Sequence, residues 1–200
     1  MTKKLYIAGI VVSSLLILEG LTFLTVNFYP ERFTVTLRFL FLFCCLLTIT
    51  SLVNFILLLI YYARRKFWFP FSVGAFLSIL NPVQFLLVYF VVVQQVSMDS
   101  YILFSYITSA VAIVYGISLM VSKSGKIIWL KLLGLVTMLI QLGYVAAFII
   151  GQSEFVSGFT ISVSKIVSYA GVLLPILLIL NFGQELLNLN KDSREELLDD

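Results

Sequence analysis

The stretch LYIAGIVVSSLLILEGLTFLTVNF, residues 5–28, carries one charged side chain, Glu19, in a run that is otherwise apolar or weakly polar. About 20 residues of this character are enough for a helix to cross the ~30 Å hydrocarbon core of a bilayer. Lipid offers no water to backbone groups, so such a segment forms a helix, in which the backbone hydrogen bonds are internal. The stretch therefore predicts a transmembrane helix with a carboxylate inside it.

The composition of the whole chain points to the same class of protein. Hydrophobic residues make up 61% of the 200 residues and charged residues 12%, whereas soluble domains average roughly 45–50% and about 25%. The mean hydropathy is +1.09. A soluble fold of this size could not bury so much apolar surface, so the sequence predicts an integral membrane protein.

Five further apolar segments follow the first, separated by short polar breaks, most of which contain proline or glycine. Short connections make consecutive helices antiparallel neighbours. We predict an all-α, polytopic fold, a compact bundle of six transmembrane helices at approximately 5–28, 33–62, 71–96, 101–121, 127–150 and 155–182. These helices form one domain, 1–182, and a short acidic cytoplasmic tail is predicted at 183–200.

Lysine and arginine are distributed unevenly between the two ends of the predicted helices. Cytoplasmic loops of membrane proteins carry an excess of these residues. With both termini in the cytoplasm, ten of the 13 basic residues lie on that side: Lys3, Lys4, Arg64, Arg65, Lys66, Lys123, Lys126, Lys131, Lys191 and Arg194. We therefore predict a multi-pass protein of the cell membrane with both termini inside, and an organelle membrane is the alternative. Tyr61, Tyr62 and Trp68 are predicted to be aromatic anchors at the headgroup level.

Three charged residues fall inside the predicted helices. A rise of 1.5 Å per residue places Glu19 and Arg38 in the outer third of the ~30 Å core, at depths of about 8–9 Å, and Lys165 deeper in its outer half, at about 14 Å. Because a lone charge near the bilayer centre costs at least about 2.5–3.5 kcal/mol, we predict that the three form an intramembrane charge network. The network either holds three helices together or lines an outward-facing polar cavity suited to an anionic solute, a lipid headgroup or a coupled ion. A protonated Glu19, or its contact with another subunit, is a further alternative.

Two prolines inside predicted helices, Pro82 and Pro175, each remove a backbone hydrogen bond and are predicted to kink their helices. Asn81, Gln84 and Gln141 are candidate polar residues lining a cavity. The prolines are 93 residues apart, close to the offset between the first and fourth helices. That spacing suggests a duplicated set of three helices, which would form an inverted repeat of the kind that many transporters have.

The residue types present exclude several kinds of chemistry. The chain has no histidine and only two cysteines, which are adjacent, so it offers neither a histidine-based metal site nor a Ser–His pair. No glycine-rich phosphate loop is present. We predict a non-enzymatic protein that needs no metal or cofactor and binds no nucleic acid. An enzyme relying on Glu19 and Lys165 is a minor alternative.

Two functions fit such a protein. The favoured prediction is an accessory or scaffold subunit, embedded in the lipid bilayer, that meets a membrane-protein partner or its own copies through small-residue helix faces. The alternative is a small permease or solute-binding component with a polar cavity around Glu19, Arg38 and Lys165. The two differ in their interiors: an accessory subunit should be tightly filled, whereas a permease should have a polar cavity reaching the midplane past Asn81, Gln84 and Gln141.

Overall fold

The computed structural model describes residues 2–28, 37–92, 97–122, 128–151 and 157–196. Within these ranges, the side chains that are not described are those at 23, 26–28, 37–41, 44, 85, 88, 89, 91, 92, 98, 147, 148, 150, 151, 157–171 and 192–196. In these ranges the chain is helical and contains no strand. The helices are α1 Thr2–Phe28, α2 Leu37–Arg64, α3 Trp68–Val92, α4 Met98–Val121, α5 Ile128–Gly151 and α6 Ser157–Glu196. The prediction of an all-helical fold is confirmed.

Five of these helices are long and apolar enough, over their described residues, to cross a membrane. The qualifying segments are Thr2–Thr22, Cys45–Arg64, Asp99–Val121, Ile128–Ala146 and Val172–Lys191. Large apolar side chains such as Leu42, Leu103 and Val121 are more than half exposed on the outside of the bundle. An outward-facing apolar surface of this kind is compatible with lipid as the solvent, and the number of crossings and the side on which the termini lie stay predictions.

The six helices form a ring in chain order. Each helix packs against the helices before and after it, and α1 packs against α6, which closes the ring. The ring has two ends, which we call the α2–α3 end, where α2 passes into α3, and the α3–α4 end opposite it. Most of the buried apolar side chains form one cluster towards the α2–α3 end, which includes Tyr6, Tyr62, Tyr115, Leu130 and Phe182.

The turn between α2 and α3 is only a few residues long and has a defined geometry. Lys66 has a φ of 59°, a left-handed conformation that usually ends a helix at glycine. The Lys66 N–H donates to the Ala63 carbonyl at 3.2 Å and the Phe67 N–H to the Tyr62 carbonyl at 2.9 Å. This pair of bonds is the Schellman arrangement, and it holds neighbouring Arg65 at the end of the bundle.

Two glycines allow α4 and α5 to approach closely. A Cβ atom built on Gly116 would lie 2.6 Å from the Gly134 carbonyl oxygen, and one built on Gly134 would lie 2.5 Å from the Gly116 carbonyl oxygen. Those distances are below any real Cβ contact, so the two backbones touch where neither residue has a side chain. Close backbone contact through small residues is the usual way for helices to associate in lipid.

The sixth helix differs most from its predicted bounds, because α6 continues to Glu196 instead of ending at 182. Leu186 and Leu189 are partly buried and pack against the buried cluster, so the first half of the predicted tail belongs to the helical bundle. Pro82 and Pro175 both lie inside helices, as the sequence indicates. The kinks assigned to them stay predictions.

Candidate functional site

A cavity of about 640 Å³ occupies the centre of the ring and is lined by residues of all six helices. Its volume falls within the roughly 300–1,000 Å³ of small-molecule sites. Asn81, Gln84 and Gln141, the three polar residues proposed from the sequence as cavity lining, all line it. A second cavity of about 130 Å³ lies between α2 and α3 and shares Ser51 and Asn81 with the first.

The register of the helices places several polar side chains at one level. The Gln84 Nε2 atom donates to Ser105 Oγ at 3.1 Å. Since α3 and α4 are antiparallel neighbours, Asn81 and Thr108, each three residues closer to the α2–α3 end, lie at the same level. This level is near the middle of both helices.

The contact between α4 and α5 extends this level to the next helix. Gly116 faces Gly134, so Ser109 and Gln141, each seven residues closer to the α3–α4 end, are level with each other. We call Asn81, Thr108, Ser109 and Gln141 the middle layer; all four line the cavity. In transporters, substrates bind near the bilayer midplane, which is where this layer would lie if the helices span the membrane.

The amides in and near the middle layer differ in their hydrogen bonding. Gln84 is engaged by Ser105, and Asn54 Oδ1 accepts from Ser13 Oγ at 3.3 Å. Among the described residues, the side-chain amides of Asn81 and Gln141 have no hydrogen-bond partner, although both face the cavity. A primary amide offers two donor hydrogens and an acceptor oxygen, so these two side chains present unused hydrogen-bonding capacity to the interior of the ring.

Aromatic side chains close the cavity towards the α2–α3 end. The hydroxyl oxygens of Tyr62 and Tyr115 are 2.7 Å apart, and both side chains are buried. Tyr115 lines the cavity, while Tyr62 lies beyond it. Tyr61 and Phe182 pack edge to face, with ring centroids 5.8 Å apart. We call Tyr61, Tyr62, Tyr115 and Phe182 the aromatic layer.

A charged pair lies on the far side of the aromatic layer from the cavity. The Arg65 guanidinium forms an ion pair with Glu185, and the Tyr61 hydroxyl donates to Glu185 Oε1 at 3.0 Å. The Glu185 side chain is 3% exposed and that of Arg65 45%, so the carboxylate is enclosed and the guanidinium reaches out of the bundle. Burial works to lower the pKa of Arg65, but the adjacent Glu185 carboxylate raises it, and the net result is a raised pKa.

One turn before Glu185, Asn181 is fully buried, and within the described part of the chain neither atom of its amide has a hydrogen-bond partner. Sequence reasoning missed Glu185, because the fall in hydropathy after residue 182 indicates the end of a helix. It also did not single out Asn181, a lone amide in the last turn of the predicted sixth helix. Tyr61 and Tyr62 are buried, so their prediction as headgroup anchors is wrong. They face the interior because α2 presents them to α1, α4 and α6, whereas Trp68 is 62% exposed.

Glu19 lies at the contact between α1 and α2 and does not line the cavity. Its Oε1 atom accepts from the Thr50 hydroxyl at 2.9 Å. Its Oε2 atom is buried and has no partner among the described residues. The side chains of Arg38 and Lys165 lie outside those residues, so the charge network stays a prediction. At 1.5 Å per residue, the backbone of Arg38 is about 18 Å along α2 from Thr50.

The described residues contain no group of three or more cysteine, aspartate or glutamate side chains placed to hold a metal ion. The structure brings the amides of Asn81 and Gln141, which have no hydrogen-bond partner in the described part of the chain, together in the middle layer. The aromatic layer and the Arg65–Glu185 pair form the closed end of the cavity. No protein-family model, curated protein or solved structure matches the chain.

Proposed function

We propose that the chain is a non-enzymatic membrane protein that binds a solute in its central cavity, as a small permease or a solute-binding component. The observation that carries this proposal is the cavity of about 640 Å³ lined by Asn81 and Gln141, whose amides lie near the middle of their helices and have no hydrogen-bond partner among the residues that the structure describes. An accessory subunit would be expected to fill its interior. Burying a polar group inside a protein without a hydrogen-bond partner is costly, so placing two such groups around a cavity favours a binding role over a packing role.

The closed end of the cavity supports the permease form of the proposal. We place the α2–α3 end in the cytoplasm, because Arg64, Arg65 and Lys66 lie there and positive charge favours the cytoplasmic side. In this orientation the cavity extends towards the outside, its lining continuing as far as Tyr101 and Tyr144. The aromatic layer and the Arg65–Glu185 pair would then separate it from the cytoplasm. Solute release to the cytoplasm would require both to come apart.

The test is to purify the protein in mild detergent and identify bound small molecules and proteins by mass spectrometry. We expect a small molecule in near-stoichiometric amount. It should be lost from Ser109→Leu, which fills the cavity, and retained by Ala110→Leu, a control on the exposed face of the same helix. An empty cavity together with a stoichiometric protein partner would overturn the proposal and favour the accessory subunit.

A further inference from the structure

The lining of the middle layer indicates the chemical class of the solute, an inference that rests on the proposed function. Among the described residues that line the cavity there is no aspartate, glutamate, lysine or arginine. The polar groups present are amides and hydroxyls, and leucine and aromatic side chains make up much of the remainder. A charge buried without an opposite charge is strongly disfavoured, so this lining selects against ions.

The charged residues that the sequence places inside the helices do not provide an opposite charge for an ion at the middle layer. The Gly20–Val172 contact between α1 and α6 puts Pro175 close to the level of the layer, and Lys165 is about 15 Å further along α6. Arg38 is about 18 Å along α2 from Thr50, whose neighbour Ser51 lines the cavity. Glu19 is closer in level, but its carboxylate is held at the α1–α2 contact by Thr50.

The amides of Asn81 and Gln141, which lack a partner within the described ranges, define which uncharged groups fit the middle layer. Asn81 on α3 and Gln141 on α5 lie on either side of α4 at one level, and each offers donors and an acceptor. A solute group that also combines donors with an acceptor, such as a carboxamide, lactam or ureide, can satisfy both amides. A carboxylate only accepts hydrogen bonds and an ammonium group only donates them. Each would therefore leave part of the hydrogen-bonding capacity of the two amides unused, and each would bring an uncompensated charge.

We propose that the middle layer binds an uncharged solute with an amide-type polar edge and an apolar or aromatic body, held between the side-chain amides of Asn81 and Gln141. The hydroxyl of Ser109, on the helix between them, would contact the same edge. The apolar body would lie against Phe55 and Leu77, which line the cavity beside this layer.

The experiment uses three matched compounds, benzamide, benzoate and benzylamine, and measures their binding to the full-length protein by saturation-transfer NMR and by thermal shift. We expect benzamide to bind at least about tenfold more tightly than either charged analogue. Asn81→Leu and Gln141→Leu should each weaken benzamide binding, whereas Asn188→Leu, on the exposed surface of α6, should not. Gln141→Glu should reverse the preference in favour of benzylamine.

Binding of benzoate or benzylamine to the unaltered protein as tightly as benzamide would overturn the inference, and so would binding of none of the three at millimolar concentration. These failures differ from failure of the proposed function. A charged small molecule that co-purifies with the protein and is displaced by Ser109→Leu would refute the solute class and leave the binding role intact. A protein from which nothing co-purifies and that no compound stabilises would refute both.

Discussion

The hydroxyl oxygens of Tyr62 and Tyr115 are 2.7 Å apart in a fully buried position, although their helices are not neighbours in the ring. Tyr115 reaches past α3, where Gly74 leaves room for its ring, and meets Tyr62 across the interior. The two hydroxyls satisfy each other in a layer that is otherwise apolar or aromatic. They join α2 and α4 directly beneath the cavity.

We expect Tyr62→Phe and Tyr115→Phe each to lower the free energy of unfolding by about 1–3 kcal/mol, because each leaves one buried hydroxyl without its partner. The double variant removes both hydroxyls and should cost less than the two single losses combined. Unfolding in detergent, followed by tryptophan fluorescence, measures all three. Strictly additive losses would mean that the two hydroxyls do not interact.

The Arg65–Glu185 pair should respond asymmetrically to loss of either partner. Arg65→Gln leaves the enclosed Glu185 carboxylate uncompensated, and we expect a loss of about 2 kcal/mol or more. Glu185→Gln leaves a guanidinium that is already partly exposed and can be solvated, so its cost should be smaller. The double variant should be more stable than Arg65→Gln alone. Equal losses from the two single variants would contradict the enclosed position of Glu185.

Hydropathy was enough to predict the helices, because about 20 apolar residues in lipid have few alternatives to a helix. The inward position of Asn81, Gln84 and Gln141 follows from similar reasoning, since polar side chains in such a helix avoid lipid. The cavity that these residues line could not be predicted from the sequence. Whether polar groups pack together or leave a cavity depends on the register of neighbouring helices, which here depends on Gly116 and Gly134.

The closed end of the cavity could not be predicted from the sequence, for a different reason. Glu185 follows an apolar segment and looks like the start of a solvated tail, and only the ring closure of α1 with α6 brings it beside Tyr61. Tyrosine at the end of a helix has the same sequence signature whether it faces headgroups or a neighbouring helix. The contact between Tyr61 and Glu185 spans 124 residues, and no local pattern encodes it.

The close approach of α4 and α5 gives a prediction with an internal control. Gly116→Ala would put a methyl group 2.6 Å from the Gly134 carbonyl oxygen, so we expect a loss of about 1–3 kcal/mol as the helices are forced apart. A Cβ atom built on Gly183 would have no neighbouring atom within 4 Å. Gly183→Ala should therefore stabilise α6 by up to about 1 kcal/mol through helix propensity. Melting temperatures of the two variants test this, and a Gly116→Ala protein as stable as the unaltered one would exclude the contact.

Glu19 and Thr50 provide a second matched comparison. The Thr22 hydroxyl donates to the Leu18 carbonyl. The Thr50 hydroxyl lies within hydrogen-bond distance of two acceptors, the Leu46 carbonyl oxygen and Glu19 Oε1, which share its single proton. Thr50→Val should therefore cost about 1–2 kcal/mol more than Thr22→Val, since it removes a hydrogen-bond partner of a carboxyl group whose other oxygen is buried. Equal stability of the two variants would show that Glu19 does not depend on Thr50.

The proposed permease role predicts how access to the cavity is controlled. The substitution Ser109→Cys, made in a protein that also carries Cys44→Ala and Cys45→Ala, provides a single thiol whose labelling rate measures access to the middle layer. A sulfonated maleimide applied to the face that carries Arg65 should label it slowly, because the aromatic layer lies in between. Adding Arg65→Gln or Tyr62→Phe should speed labelling by about tenfold, the effect of shifting a closed–open equilibrium by about 1.4 kcal/mol. Tyr101→Phe, at the opposite end of the cavity, should leave the rate unchanged, and an equal rate in all four proteins would refute a gate at this end.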